Sequence, residues 1–151
     1  IGDIIELYSD YIDDNRYGNL LSSIMTDLTF GSPVEELLKK NKSSYGYIFT
    51  PQSPLLNGEL GAFHASELPY LFGVQNNSVY KKWSPDYRDQ TAKIMQDSWI
   101  NFAKNGDPST NHFKWERFSN SSNYALIGDS IKNINSPFKE RYQLLDHAKN
   151  F

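Results

Sequence analysis

The sequence predicts an α/β fold that is rich in helices and contains few strands. Residues 45–50 are aromatic and β-branched and stop at Pro51, which is typical of a buried strand followed by a turn. Residues 124–128 form a second, shorter apolar run. Four or five segments with helical spacing surround these two runs. We therefore expect one central strand and a short edge strand, embedded among helices.

Two helices are expected near the N-terminus. The first covers residues 14–28, with Asp14 as its N-cap and one buried face, formed by Tyr17, Leu20, Leu21, Ile24, Met25 and Leu28. The second runs over about residues 32–40, where Ser32 and Glu35 have the spacing of a capping box.

A loop is expected at residues 51–63. Three further helices are expected at residues 66–72, 85–104 and 137–148, and the second strand at residues 124–128. Ser84 should begin the long helix and Gly106 should end it. Its buried face is expected to contain Ala92, Met95, Trp99, Phe102 and Ala103. Trp115 and Phe118 should anchor the loop that follows. Because no repeat or low-complexity segment interrupts the chain, we expect residues 1–151 to belong to a single domain.

Composition excludes several classes of function. The net charge is -3, from 15 basic and 18 acidic residues with no basic block, so we expect no nucleic-acid partner and no anionic membrane surface. No apolar run approaches about 20 residues and no signal peptide is recognisable, so we expect no membrane segment. The absence of cysteine excludes disulfides, a thiol nucleophile and cysteine-built zinc sites. We expect no metal and no cofactor, and both a cytoplasmic and a secreted location fit.

His64 is the candidate catalytic residue. It lies among small residues between the expected strand and the short helix, and loops beyond strand ends commonly carry catalytic side chains. A histidine in isolation is more often a structural or surface residue, but the pattern around His64 is long and specific. His112 and His147 lack such neighbours, and we interpret both as solvated surface residues.

The run over residues 61–73, GAFHASELPYLFG, closely resembles the histidine segment of the type-B carboxylesterases. This α/β-hydrolase family includes para-nitrobenzyl esterases, liver-type carboxylesterases and cholinesterases. Residues 99–108 are similar to the Trp-x-x-Phe-Ala-Lys-x-Gly-x-Pro segment of that family, and residues 27–33 fit its Asp-x-x-Phe-x-x-Pro helix. The resemblance covers about residues 14–130.

The resemblance implies that the chain is the C-terminal portion of an α/β-hydrolase fold, whose sheet is completed by upstream sequence or another chain. His64 would be the general base of a Ser-His-acid triad. The chain order in this fold is serine, acid, histidine, and no Gly-x-Ser-x-Gly elbow or glycine triplet occurs in the 151 residues. The serine and the acid are therefore expected upstream. Asp13 and Asp14 are better interpreted as helix-start residues.

The resemblance also assigns roles around the histidine. Glu67 is expected to support His64 within a polar network, although capping of the short helix is at least an equal alternative. Phe63, Leu68 and Leu71 are candidates for lining an apolar acyl or alcohol pocket, with interior packing as the alternative for each. Ala65 stands where cholinesterases commonly have glycine, which favours the para-nitrobenzyl-type members.

The predicted function is part of a serine carboxylic-ester hydrolase that acts on short to medium acyl esters. The expected partners are a small ester substrate and the remainder of the hydrolase. The isolated chain should be inactive, because it lacks the nucleophile and the oxyanion donors. The alternative is a non-catalytic, cholinesterase-like adhesion or interaction domain. An autonomous helical module is disfavoured, because the strand at residues 45–50 would lack partners.

Overall fold

The computed structural model describes residues 6–8, 17–74, 76–83 and 89–148. Two compact units emerge, one from residues 1–42 and 136–151 and the other from residues 43–135. Asp13 and Asp14, and the predicted helix start at Ser84, lie outside the described residues. The assignment of the whole chain to a single hydrolase domain stays a prediction.

Six α-helices and three strands are present in the described part of the chain. The helices are α1 Tyr17–Thr26, α2 Ser32–Lys40, α3 Leu68–Phe72, α4 Tyr80–Trp83, α5 Asp89–Asn105 and α6 Lys139–Ala148. The strands are β1 Gly46–Phe49, β2 Asn123–Ile127 and β3 Ile131–Asn135. A π-helical turn, Asp27–Gly31, joins α1 to α2. Short 3-10 turns occur at Leu55–Gly58 and Phe118–Asn120.

The sheet of the second unit has the order β1-β2-β3. Strand β1 pairs with β2 in parallel, with Phe49 opposite Ile127, and β2 pairs with β3 antiparallel, with Ile127 opposite Ile131. The strand predicted at residues 45–50 is confirmed. The strand predicted at the edge, β2, instead lies between the other two described strands. The sequence IKNIN of β3 is polar, so its pairing with β2, rather than its own pattern, makes it a strand.

A cluster of seven buried residues forms the core of the second unit: Tyr70, Ala92, Met95, Phe113, Trp115, Ala125 and Ile127. Trp115 and Phe118 are both buried, which confirms them as anchors, and the indole of Trp115 donates to the Gly46 carbonyl at 3.2 Å. The predicted buried face of α5 is correct only in part, since Phe102 is 50% exposed and Ala103 is exposed. A helical repeat identifies the apolar face but not how far a neighbour covers it.

The first unit contains α1, α2 and α6. On the predicted buried face of α1, Leu20, Ile24 and Leu28 are half-buried. Leu21 and Met25 are 63% and 52% exposed, so the prediction is wrong for these two side chains. The Tyr17 side chain lies outside the described part. Further exposed apolar side chains continue along the π-helical turn and α2; these are Phe30, Val34 and Leu37.

The capping box expected at Ser32 is not formed in the predicted way. Ser32 is itself helical, with φ -61° and ψ -47°, because the π-helical turn runs directly into α2. Its hydroxyl donates to Asp146 Oδ1 at 2.7 Å, which ties α2 to α6. The buried Glu35 carboxylate pairs with Lys39 at 2.8 Å and accepts from Ser136 Oγ at 2.9 Å.

Asp27 is the centre of a buried polar cluster in the first unit. Its carboxylate accepts a hydrogen bond from the Tyr8 hydroxyl at 2.7 Å and pairs with the Arg141 guanidinium. That guanidinium lies over the Tyr8 ring, 4.2 Å from its centroid. Gly31 is required nearby, because a Cβ at this position would overlap the Tyr142 hydroxyl. Charge pairing and close packing thus join the π-helical turn to α6.

Asp27→Asn should lower the free energy of unfolding of the complete protein by about 3–5 kcal/mol, because it leaves the Arg141 charge buried without its counter-charge. The control is Asp97→Asn, which removes the pair between Asp97 and Lys93 on the surface of α5. Its effect should stay within about 1 kcal/mol. Urea denaturation measures both, and equal losses for the two variants would contradict a special role for Asp27.

Alkaline pH should destabilise the first unit through two tyrosines. Burial, reinforced by the bond to Asp27, raises the pKa of Tyr8 from 10.0 to about 12. Burial also raises the pKa of Tyr142, with smaller contributions from the charges of Asp27 and Glu35. The unfolded chain loses these protons first, so this stability is full below about pH 10 and is lost as pH rises through the folded values.

We expect the free energy of unfolding to fall more steeply above about pH 10 in the wild type than in a Tyr8→Phe, Tyr142→Phe double variant. Urea denaturation at a series of pH values gives the two slopes. Phenolate absorbance reports when each tyrosine ionises. Identical slopes in the two proteins would show that neither phenol contributes to the alkaline loss of stability.

Candidate functional site

His64 lies at the exposed apex of a tight turn, beyond the carboxyl end of β1. The Ser66 N–H donates to the Phe63 carbonyl at 3.0 Å, which closes a four-residue β-turn with His64 and Ala65 at its central positions. Ala65 has φ +69°, in the left-handed region that favours glycine. The backbone around His64 is therefore held in an uncommon conformation.

The far side of this turn is fixed in the core. The Ala65 carbonyl accepts from the Leu68 N–H at 3.1 Å, so the turn continues directly into α3. Ser66 and Tyr70 are each 2% exposed. The Tyr70 ring packs edge-on against Phe49 at the end of β1, with 5.2 Å between ring centroids. An exposed imidazole is thus carried on a short, anchored support.

The loop that precedes His64 is irregular, as expected, but it is closed on itself. The Ser53 N–H donates to the Gly61 carbonyl at 2.9 Å, and the buried Ser53 hydroxyl accepts from the Leu55 N–H at 3.3 Å. The Phe63 ring packs against Trp83 of α4 at 5.2 Å. These contacts restrain the loop.

His64 makes no hydrogen bond or ion pair with any residue that the structure describes. Glu67 is half-buried at the start of α3, and its side chain makes no capping hydrogen bond. Capping, the alternative interpretation of Glu67, is therefore not observed. Burial raises the pKa of the Tyr47 hydroxyl, and the Glu67 carboxylate adds to this effect. The charge of Glu67 therefore acts on Tyr47, a residue of β1.

The three expected pocket residues have different surroundings. Phe63 is half-buried against Trp83, and Leu68 is half-buried at the first position of α3. Leu71 packs against the core cluster of the second unit, which is the interior-packing alternative. A role of these side chains in binding substrate stays a prediction.

An aromatic cleft of about 190 Å³ opens elsewhere in the second unit, lined by Tyr45, Tyr47, Ser98, Trp99, Phe102, Pro108 and Trp115. His64 is not among the residues that line it. Within the described residues, no group of three or more His, Asp or Glu side chains could hold a metal ion. None of the helices described here is long and apolar enough to cross a membrane.

Sequence patterns did not predict two features of the site, the conformation of Ala65 and the burial of Ser66. A β-turn position with positive φ normally carries glycine or asparagine, so the alanine itself gave no signal; the available signal was the glycine that the resemblance implies at this position in cholinesterases. Serine is usually a surface residue, yet the Ser66 hydroxyl is buried and has no partner among the described residues. Only its position in the turn, between His64 and the apolar α3, could have indicated burial.

Comparison with known proteins identifies the family of this chain. The model of the carboxylesterase family matches residues 3–145. The chain is 33% identical over 134 residues to the para-nitrobenzyl esterase of Bacillus subtilis, an alignment that covers 83% of this chain and 27% of that protein. It is 30% identical over 137 residues to the bile salt-activated lipase of Bos taurus, covering 83% and 22%.

Solved structures show the same fold. A carboxylesterase of Geobacillus stearothermophilus superposes with a TM-score of 0.77 at 22% identity, covering 96% of this chain and 31% of that one. A para-nitrobenzyl esterase superposes with a TM-score of 0.69 at 26% identity, covering 94% and 30%. The chain spans less than a third of the length of these relatives. The predicted fold class, a portion of an α/β-hydrolase fold, is confirmed, and the chain belongs to the carboxylesterase family.

Proposed function

We propose that this chain is the C-terminal part of a serine carboxylic-ester hydrolase and that His64 is its general base. The observation that carries the proposal is the placement of an exposed imidazole at the apex of a core-anchored turn, beyond the carboxyl end of a parallel strand. In open α/β sheets, ligands bind at that end of the strands. The family match supports the same assignment.

The chemistry assigns four proton transfers to His64, two in each half of the cycle. As the serine oxygen of the complete protein attacks the ester carbonyl, the imidazole accepts the serine proton and then donates it to the leaving alkoxide. In the second half of the cycle, the imidazole accepts a proton from the water that attacks the acyl-enzyme and donates it to the departing serine oxygen. The ring makes no hydrogen bond within the described residues, so both its nitrogens are available to the serine and to the acid.

Glu67 is proposed to support the histidine segment rather than to transfer a proton. It lies three residues after His64, and its carboxylate acts on Tyr47 of β1. The proposed substrates are short to medium acyl esters with uncharged alcohol groups. The likeness to a para-nitrobenzyl esterase supports this class.

The complete protein should hydrolyse para-nitrophenyl acetate and butyrate and should prefer them to choline esters. The isolated 151 residues should be inactive, because neither a serine elbow nor an oxyanion loop is present in them. Spectrophotometric assays with a serine-directed inhibitor test both statements. Inhibitor-sensitive turnover by the isolated chain would contradict the proposal, and preference for choline esters would contradict the substrate class.

His64→Ala in the complete protein should lower kcat by several orders of magnitude and leave the fold intact. Loss of one triad member removes the concerted chemistry and leaves about 10³–10⁴-fold acceleration from the oxyanion donors and binding. His112→Ala is the matched control, since His112 is exposed and outside the turn. Glu67→Gln should cost much less than His64→Ala. Steady-state kinetics and circular dichroism provide the measurements.

The non-catalytic alternative gains support from one outcome of this experiment. If a well-folded His64→Ala protein retained near wild-type activity, His64 would not be the base. A complete protein with no esterase activity at all would favour the adhesion or interaction function.

Ala65→Gly should stabilise the complete protein while leaving kcat nearly unchanged. An L-residue in the left-handed region costs about 1–2 kcal/mol, and glycine adopts φ +69° without this cost. The added entropy of the unfolded chain offsets about 0.4–1 kcal/mol, so a net gain of about 0.5–1 kcal/mol is expected.

Ala62→Gly is the matched control for Ala65→Gly, because Ala62 is exposed in the same loop without a positive φ. It should lose about 0.5–1 kcal/mol. Urea denaturation compares the two variants. Equal losses of stability in both would show that the turn does not hold Ala65 in the left-handed conformation.

A further inference from the structure

The side chain of Gln96 ties the short helix after the His64 turn to α5. Its Nε2 donates a hydrogen bond to the Tyr70 carbonyl of α3 at 2.8 Å, and Gln96 is half-buried. A Cβ built on Gly73, the residue that ends α3, would lie 3.5 Å from the same nitrogen. The amide of Gln96 therefore lies at the C-terminal end of α3.

Helix α3 is too short to fix its own position. It contains five residues, and the last four carbonyls of any helix lack a partner within that helix. The Tyr70 carbonyl is one of them, and Gln96 supplies a donor to it. The Tyr70 ring packs on Phe49 of β1. Ring packing tolerates small rotations, whereas a hydrogen bond weakens when its angle changes, so the two contacts together fix both the place and the direction of α3.

Helix α5, which carries Gln96, is itself fixed on the sheet. The buried Thr91 hydroxyl donates to the carbonyl of Gly128, directly after β2, at 3.3 Å. Ala92 and Met95 of α5 belong to the core of the second unit. Gln96 follows Met95 in the chain, so its amide reaches α3 from a well-anchored turn of α5. The hydrogen bond thus refers the position of α3 to the sheet.

We propose that Gln96 is a positioning residue for His64, which holds α3 and thereby sets the direction of the imidazole on the preceding turn. The Leu68 N–H of α3 donates to the Ala65 carbonyl of the turn at 3.1 Å, so a shift of α3 also moves the turn. The inference rests on the proposed function of His64. Gln96 acts on the reaction only through α3 and the turn.

Gln96→Met in the complete protein tests the proposal, because methionine has a similar length and lacks the donor. The value of kcat should fall about tenfold, since small displacements of a catalytic group have effects of this order. KM should change little. Gln96→Lys restores a donor of similar reach, and lysine side chains can bond the last carbonyls of a helix, so this variant should recover most of the lost kcat.

Asn101→Leu is the matched control. The Asn101 amide also projects from α5 and donates to a main-chain carbonyl, that of Ser109, at 2.7 Å, and Asn101 is also half-buried. This bond ties α5 to the loop that follows it and not to α3. Each variant removes one bond from an amide to a carbonyl, so the melting temperature should fall by a similar amount in both. Only Gln96→Met should lower kcat when both are assayed well below their melting temperatures.

A double-mutant cycle with His64 separates positioning from a general loss of structure. Because Gln96 acts through His64, Gln96→Met should not lower the residual kcat of His64→Ala any further. An equal fall in both backgrounds overturns the inference, and so does an unchanged kcat in Gln96→Met or a kcat that Gln96→Lys does not recover. Failure of the proposed function has a different result, since His64→Ala alone would then retain near wild-type activity.

Discussion

The parallel pairing of β1 with β2 is the constraint on which the second unit depends. Parallel strands require a crossover connection, because the chain must return to the end at which it started. Here the crossover covers residues 50–122 and contains the His64 turn, α3 and α5. The carboxyl ends are locked together, since the Thr50 N–H and hydroxyl both donate to the Ile127 carbonyl, at 2.8 and 3.1 Å. This crossover carries His64 beyond the carboxyl end of β1, the end at which open α/β sheets generally bind ligands.

Both units expose large apolar side chains. In the first unit these side chains lie on α1, the π-helical turn and α2: Leu21, Met25, Phe30, Val34 and Leu37. Exposed apolar patches of this kind normally face a partner surface. The buried pair of Asp27 and Arg141 gives these helices a fixed arrangement that does not rely on that face. The exposed apolar face fits the proposal that the chain is one part of a larger hydrolase.

Sequence patterns predicted the elements that have a strong signal of their own. Strand β1, the helices α1, α2, α5 and α6, and the anchors Trp115 and Phe118 all follow from periodicity, aromatic content or capping residues. Strand β3 and α4 were missed, because IKNIN and YKKW have weak patterns and depend on non-local contacts. The exposure of Leu21 and Phe102 was missed for a related reason, since a repeat shows which face is apolar and not what covers it. The His64 assignment comes from its neighbours and stays a prediction, whereas the conformation of Ala65 is not indicated by the alanine itself.

Two features that are unfavourable in free energy occur in the turn that carries His64. Ala65 occupies a backbone region that L-residues avoid, and Ser66 buries a hydroxyl that the described residues do not pair. Conformations of this kind persist only where the surrounding structure determines them, and they concentrate at sites that need a fixed geometry. The hydrogen bond from the Ser66 N–H to the Phe63 carbonyl and the packing of Tyr70 on Phe49 hold the turn in this conformation from within the second unit. A solvated surface histidine has no need of such support, whereas a general base must be held at a set distance from its nucleophile.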